Sequence, residues 1–111
     1  MPHKTAINAA LDRTYLALGD TRRRRILELL ATGPRRAGDL AAEFPDISRI
    51  AVRKHLAVLE GAKLVTAAAQ GRERWYHSTP QPLIGATNWM AHYTQHWQAK
   101  LQELETLLNE D

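Results

Sequence analysis

Residues 45–65 read PDISRIAVRKHLAVLEGAKLV, a tight turn followed by an amphipathic helix that ends near a glycine. The apolar positions of that helix recur at spacings of four and three, on one helical face: Val52, Leu56 and Leu59. Ser48 precedes this run and is a good N-cap, so the spacing predicts a helix from Ser48 to about Glu60. Because Pro45-Asp46 forces a turn directly before it, the sequence indicates two helices joined by a short turn.

Upstream of that turn the sequence predicts three more helices. They span Thr5 to Leu18, Thr21 to Ala31 and Ala37 to Phe44. The first carries apolar residues at spacings of four, four and three, and Gly19 stops it. Asp20 is a good N-cap for the second, which the Gly33-Pro34 pair ends.

After Gly61 the pattern changes from helical spacing to alternation. Lys63 to Ala69 and Arg72 to Ser78 have the character of strands, with a turn at Gln70-Gly71 between them, so a β-hairpin is predicted. Two helices across a tight turn, followed at once by a hairpin, are typical of a winged helix-turn-helix, whose second helix enters the major groove of DNA. The predicted fold is therefore mainly α with a small β-hairpin, the wing.

The exposed side of the predicted helix after Ser48 carries groups that suit DNA. Opposite the apolar face and in the first turn lie three cations and one apolar side chain: Arg49, Ile50, Arg53 and Lys54. Arginine binds guanine O6 and N7 with two hydrogen bonds, lysine reaches a guanine or a phosphate, and Ile50 fits a thymine methyl. The N–H groups at the helix start suit a phosphate. These residues predict binding to double-stranded DNA, against the alternative of a solvated helix face.

The predicted wing and the charge distribution also favour binding to DNA. Arg72 and Arg74 flank Glu73 beside the Gly71 turn and are expected on one side of the strand, where a basic tip suits a minor groove or phosphates. Residues 20–78 hold 12 Lys and Arg against 7 Asp and Glu, whereas residues 79–111 hold one Lys against four acids. A basic middle and a mildly acidic end predict that only the middle faces a polyanion.

Several functional classes are excluded by what the sequence lacks. The chain has no cysteine, so disulfides, thiolate metal sites and cysteine nucleophiles are ruled out. We find no catalytic nucleophile, acid pair or phosphate loop, and therefore expect no enzyme activity and no cofactor. Lys4, Asp12 and Arg13 interrupt the apolar positions of the amino terminus, unlike a signal peptide, so we expect a cytoplasmic protein with no membrane partner.

Pro80 and Pro82 separate the wing from a long last helix, predicted from Leu83 to Leu108. Its apolar residues advance by three or four positions and form a narrow seam flanked by Trp89 and Leu107: Ala86, Met90, Tyr93, Trp97, Leu101, Leu104 and Leu108. A similar face on the first helix includes Ile7 and Leu11. Such seams need a partner, so we expect dimerisation through both helices; the alternative is packing back on the same domain.

In order and spacing, the motifs of nearly the whole chain resemble the ArsR/SmtB family of winged-helix repressors. The matching segments are Ala17 to Asp20 with Arg25 to Leu30, then Ile47 to Val65, which covers the helix after Ser48 and the residues that follow it, and Gly71-Arg72 with Tyr76 of the wing. The resemblance implies a homodimeric repressor that leaves a palindromic operator when an effector arrives. It also implies the layout of one domain: dimerisation helices at 5–18 and 83–108 around a DNA-binding core at 20–78, with the wing at 63–78.

The chain departs from that family at two places. Thr21 stands where the family often has proline, which costs little at a helix start. Metal sensors of the family carry Cys-x-Cys before Asp-Leu, whereas here Arg36-Ala37-Gly38 precedes Asp39-Leu40, so we predict no metal site.

Two alternatives stay open at this point. His92 and His96 lie one helical turn apart beside the seam, a geometry that chelates metal, so one alternative is a zinc-responsive repressor. The other is a winged-helix protein-interaction module that has lost DNA binding. The five cations Arg49, Arg53, Lys54, Arg72 and Arg74 favour a DNA-binding regulator over the second alternative.

Overall fold

The computed structural model describes residues 2–110 and the side chains of residues 5–110. Its elements in chain order are α1 (Pro2–Leu18), α2 (Thr21–Leu30), β1 (Arg35–Arg36), α3 (Ala37–Ala42), α4 (Arg49–Gly61), β2 (Val65–Gln70), β3 (Glu73–Ser78) and α5 (Gln81–Asn109). The predicted mainly helical fold with a small wing is confirmed. None of these helices has both the length and the apolar character that a membrane span needs.

Two capping side chains fix where α2 and α4 begin, as predicted. The Asp20 carboxylate accepts hydrogen bonds from the backbone N–H groups of Arg22 and Arg23, at 2.8 and 3.1 Å. The bond from the Arg23 N–H, followed by that from Arg22, lowers the pKa of this carboxyl below its usual value. Ser48 Oγ accepts from the Ala51 N–H at 3.1 Å, so α4 starts where the sequence indicates.

The wing has three strands, one more than predicted. Its antiparallel sheet has the order β1-β3-β2, and the two-residue β1 pairs with β3 in the register Arg35↔Tyr76. The second strand starts at Val65 rather than at Lys63, because Lys63 takes a left-handed φ of 62° directly after α4. The last pair of the hairpin is Gln70↔Glu73. The turn is therefore Gly71-Arg72, and Arg72 lies outside the strand in which it was predicted.

The core lies between α2, α3, α4 and the sheet. Each of these elements buries apolar side chains there, and the C-terminal end of α1 adds Ala17; the largest fully buried ones are Ile26, Leu40, Val52, Leu56, Leu59, Leu64 and Val65. Burying a side chain of the size of leucine contributes roughly 1.5–3 kcal/mol. The predicted apolar face of α4 thus packs against the core, and the opposite face of α4 points outward.

Helix α5 joins the rest of the chain only near its start. Ala86 is buried against α1, and Tyr15 Oη donates a hydrogen bond to its carbonyl oxygen at 2.7 Å. The Tyr15 ring also meets the Trp89 ring edge to face, with the centroids 6.1 Å apart. Residues 87–110 are all exposed. The predicted helix is confirmed, with slightly wider bounds, and most of its length has no neighbour within the described chain.

Candidate nucleic-acid interface

The outward face of α4 consists of the residues that the sequence singles out. Because Val52, Leu56 and Leu59 are buried, the residues on the other side of the helix point to solvent. All members of this reading face, as we call it, are exposed: Arg49, Ile50, Arg53 and Lys54. Ile50 is 68% exposed although it is a large apolar residue. A single exposed apolar side chain is ordinary on a protein surface, so Ile50 is of interest here for its place among three cations.

The cations of the reading face have no partners within residues 2–110. Neither Arg49, Arg53 nor Lys54 takes part in any hydrogen bond or ion pair of the described chain. Other arginines are paired: Arg22 contacts Asp46 at 2.7 Å, an ion pair that lowers the pKa of the Asp46 carboxyl. These cations are therefore available to an anionic ligand, and no ion pair among the described residues has to break first.

The start of α4 adds a partial positive charge to this face. Ser48 is exposed at the N-cap, and its hydroxyl satisfies only the N–H of Ala51. The first turn of any helix leaves backbone N–H groups without intrahelical acceptors, and the aligned peptide dipoles make that end attractive to anions. Arg49 is the first residue of the helix, so a side-chain cation and the helix dipole act at the same place.

The two arginines of the wing have different surroundings. Arg72 occupies the turn next to Gly71, which takes a left-handed φ of 63°, and it is exposed with no ion pair among the described residues. Arg74 lies on β3 with a guanidinium nitrogen 3.4 Å from a Glu60 carboxylate oxygen of α4. Its guanidinium carbon is 5.7 Å from the centre of the Tyr76 ring. Arg72 is therefore an unpaired cation at the wing tip, whereas Arg74 connects the wing to the end of α4.

Arg36 connects the wing to α3, which the sequence analysis did not predict. Its guanidinium donates to Asp39 at 3.1 Å and to Glu73 at 2.9 Å, and it lies 5.7 Å from the centre of the Trp75 ring. The hydrogen bond from Arg36 lowers the pKa of the Asp39 carboxyl. The i,i+3 spacing of Arg36 and Asp39 was visible in the sequence, but the contact with Glu73 depends on β1 pairing with β3.

The second predicted surface, the apolar seam, is exposed on α1 and α5. Along α5 it comprises Met90, Tyr93, Trp97, Leu101, Leu104 and Leu108, each exposed by 45–74%. On α1, Ile7 is 48% exposed, while Leu11 is half-buried beside Gly85. Aromatic rings contact one another along the seam. The ring centroids of the stacked Trp89 and Tyr93 are 5.5 Å apart, and those of Tyr93 and Trp97, which meet edge to face, are 6.3 Å apart. Leu16 and Ile84 are further exposed apolar residues that the sequence analysis did not select.

The two histidines of α5 do not form a metal site by themselves. His92 and His96 are exposed, and His96 packs its ring edge against Trp97 at 5.8 Å. Within the described part of the chain, no group of three or more His, Cys, Asp or Glu side chains is arranged to hold a metal ion.

Comparison with known proteins agrees with this geometry. A helix-turn-helix domain model matches residues 18–67. The HTH-type transcriptional regulator Rv2034 of Mycobacterium tuberculosis is 46% identical over 72 residues, 65% of this chain and 66% of that protein, slightly under two thirds of its length. The transcriptional repressor SdpR of Bacillus subtilis is 31% identical over 83 residues, 75% of this chain and 91% of that protein.

A solved structure resembles most of this fold. The crystal structure of the ArsR family transcriptional regulator RHA00566 superposes with a TM-score of 0.76 at 28% identity, covering 82% of this chain and 93% of that one. The fold described above therefore agrees with that of this ArsR family regulator. The chain therefore belongs to the ArsR family of winged helix-turn-helix transcriptional regulators.

Proposed function

We propose that the chain is a sequence-specific repressor that binds a palindromic DNA operator as a homodimer and catalyses no reaction. The observation that carries this proposal is the reading face, with three unpaired cations on a helix whose other side is fully buried. The similarity to SdpR, a transcriptional repressor, favours repression over activation.

In this proposal α4 lies in the major groove. Arg49 and Arg53 bind guanine edges through their paired N–H groups, Lys54 reaches a guanine or a phosphate, and Ile50 contacts a thymine methyl. The N-terminus of α4 at Ser48 receives a backbone phosphate. The buried face of α4 supports this role, because a rigid helix holds its side chains in a fixed register against the bases.

The wing contacts DNA beside the groove that α4 occupies. Arg72 at its tip reaches a phosphate or the adjacent minor groove. Arg74 is a weaker DNA contact in this scheme, because its charge is already shared with Glu60. Its exposed side chain approaches a phosphate from the flank of the wing.

A second copy of the chain covers the apolar seam. Exposed rings and leucines along a single helix face are unfavourable in water, and an isologous interface buries the same residues of both copies at once. Ile7 and Leu11 of α1 border this interface. The two-fold symmetry then presents two reading faces to successive major grooves, about 34–36 Å apart, which explains why the operator is expected to be a palindrome.

We further propose that the protein acts in the cytoplasm, and that an effector controls its release from DNA. The effector is an expectation from family resemblance. The histidine pair of α5 is not proposed as its site, because two ligands do not make a tetrahedral metal site.

The experiment that tests this proposal is selection of bound fragments from the source genome. Fragments retained by the protein are sequenced, and a labelled duplex from the enriched set is titrated by fluorescence anisotropy at fixed salt. We expect enrichment of a palindromic sequence and tight binding by a dimer. Arg25→Ala is a matched control, because Arg25 is an exposed arginine paired with Glu28 on α2, away from the reading face. Absence of any enriched sequence would contradict the proposal.

A further inference from the structure

The side chain of Arg23 on α2 contacts two other helices at once. Its Nε donates to the carbonyl oxygen of Ala17 at 2.8 Å, and one terminal nitrogen donates to that of Leu16 at 2.9 Å. The other terminal nitrogen lies 3.2 Å from Nδ1 of His55. Ala17 and Leu16 belong to the last turn of α1, and His55 belongs to α4. All three nitrogens of the guanidinium are therefore used.

Each contact has a physical reason. The last carbonyl groups of a helix have no intrahelical donors and carry partial negative charge, so a cation is favourable at the end of α1. A guanidinium only donates hydrogen bonds, so Nδ1 of His55 must be the acceptor. His55 is half-buried on the flank of α4, next along the chain to Lys54 of the reading face. A hydrogen bond to this ring therefore constrains the position of α4 and of its reading face.

Arg24, the next residue, shows that capping α1 does not require contact with α4. It donates to the carbonyl oxygen of Leu18 at 2.8 Å, is exposed, and makes no hydrogen bond or ion pair with α4 among the described residues. Arg23 and Arg24 thus have the same charge, lie on the same helix and cap the same helix end. Within residues 2–110, Arg23 is the residue whose side-chain hydrogen bonds join α1 to α4.

We infer that Arg23 is a positioning residue for DNA recognition, which holds the reading helix in a fixed orientation relative to α1 through His55. This inference rests on the proposed function, in which α1 belongs to the dimer interface and α4 to the DNA interface. The distance and angle between two reading helices in a dimer depend on how each is attached to the interface helices. An attachment through a planar group with three hydrogen bonds restricts rotation of α4 about its buried face.

The test compares Arg23→Gln with Arg24→Gln, and His55→Leu with His55→Gln. We expect Arg23→Gln and His55→Leu each to weaken binding of the selected labelled duplex by about tenfold, because each removes the charged hydrogen bond. Arg24→Gln should weaken it by less than about threefold, as is usual for an exposed charge. His55→Gln should also stay within about threefold of the parent, because a glutamine amide oxygen can accept the bond from Arg23. Rescue by glutamine separates a positioning contact from general loss of packing.

A double variant and a measurement without DNA complete the test. Arg23→Gln combined with His55→Leu should bind about as weakly as either single variant, rather than the roughly hundredfold weaker expected of independent sites. In the unbound protein, amide hydrogen exchange in α4 should be faster in Arg23→Gln and unchanged in Arg24→Gln. Equal effects of Arg23→Gln and Arg24→Gln on both measurements would overturn the inference and leave the proposed function intact. Failure of the parent to bind any duplex would instead contradict the proposed function, and hydrogen exchange would still decide whether Arg23 holds α4.

Discussion

The reading face of α4 and the apolar seam of α5 are both exposed and unpartnered within residues 2–110. They differ in the chemistry of their side chains and in how the helix that carries them packs on the rest of the protein. The reading face carries exposed cations on a helix that is buried on its other side. The seam carries rings and leucines on a helix whose residues 87–110 are all exposed. An unpaired cation costs little in water, whereas a row of apolar side chains is unfavourable until it is covered. In the proposed function, the α5 seam accordingly takes a permanent partner, and the α4 face takes a transient one.

This difference predicts that DNA binding and dimerisation respond differently to salt. Binding through the reading face should weaken as salt rises, because it depends on phosphate neutralisation. Association through the seam should not, because it depends on removal of apolar area from water. The variants below separate the two surfaces, beginning with the largest expected effect.

Trp97→Asp combined with Leu101→Asp should abolish the dimer at micromolar concentration. The two side chains are 51% and 57% exposed on the seam, so the fold of the monomer does not depend on them. Losing burial of four large apolar side chains per dimer, at roughly 1.5–3 kcal/mol each, exceeds what a dimer of ordinary affinity tolerates. Sedimentation velocity measures the oligomeric state, and tight operator binding should be lost with the dimer.

Its matched control is Gln95→Asp combined with Gln102→Asp. These positions lie on the side of α5 opposite the seam and introduce the same two charges. The control protein should remain dimeric. A monomeric control, or a dimeric Trp97→Asp and Leu101→Asp variant, would show that the seam is not the interface.

Arg53→Ala and Lys54→Ala should each weaken operator binding by about 1–3 kcal/mol and flatten the preference among sequences, if they contact base edges. The dimer should be unaffected, because both residues lie on the reading face of α4 and neither belongs to the apolar seam. Anisotropy titrations against the selected duplex and a scrambled one measure both effects. Unchanged affinity in these variants, relative to the parent and to the Arg25→Ala control, would remove α4 from the DNA interface.

The wing allows a finer comparison between two arginines that are close in sequence. Arg72→Ala should weaken binding to all duplexes about equally. The slope of the logarithm of the DNA association constant against the logarithm of the salt concentration should become shallower by about one, as expected for loss of one phosphate contact. Arg74→Ala should have a smaller effect, because Arg74 is already paired with Glu60 at 3.4 Å. Titrations at several salt concentrations measure both slopes. A larger effect for Arg74 would mean that the Glu60 pair breaks on DNA.

Local patterns in the sequence were sufficient to predict most of the fold. The caps at Asp20 and Ser48 and the buried face of α4 follow from spacing within one helix, so they were predicted to within one or two residues. Strand β1 was missed because two residues, Arg35 and Arg36, are too short to show any alternation. Its existence depends on pairing with β3, a contact between residues about 40 positions apart.

The same limit applies to the candidate site. The sequence identified the cations of the reading face because helical spacing alone decides which side they occupy. It did not show that Arg74 is paired and Arg72 unpaired, because Glu60 is far from Arg74 along the chain. It likewise gave no indication that Arg23 reaches His55, 32 positions away. Spacing predicts the face of an element, and only the tertiary structure shows which of its charges are already used.

The smallest expected effect concerns the two histidines of α5. A high-affinity zinc site needs about four ligands in a tetrahedron, and His92 and His96 from both copies supply them only if the two pairs converge across the dimer. Both side chains are exposed, and His96 packs against Trp97. We therefore expect micromolar zinc, or a chelator, to change operator affinity by less than about 1 kcal/mol, below the 1–3 kcal/mol typical of allosteric coupling. Anisotropy titration at fixed salt measures this change, with His92→Ala combined with His96→Ala as the control. A zinc-induced loss of affinity above about tenfold that disappears in the control would contradict this expectation. It would show that zinc bound by the histidines of α5 is coupled to DNA binding through α4, so that α5 would sense metal as well as form the interface.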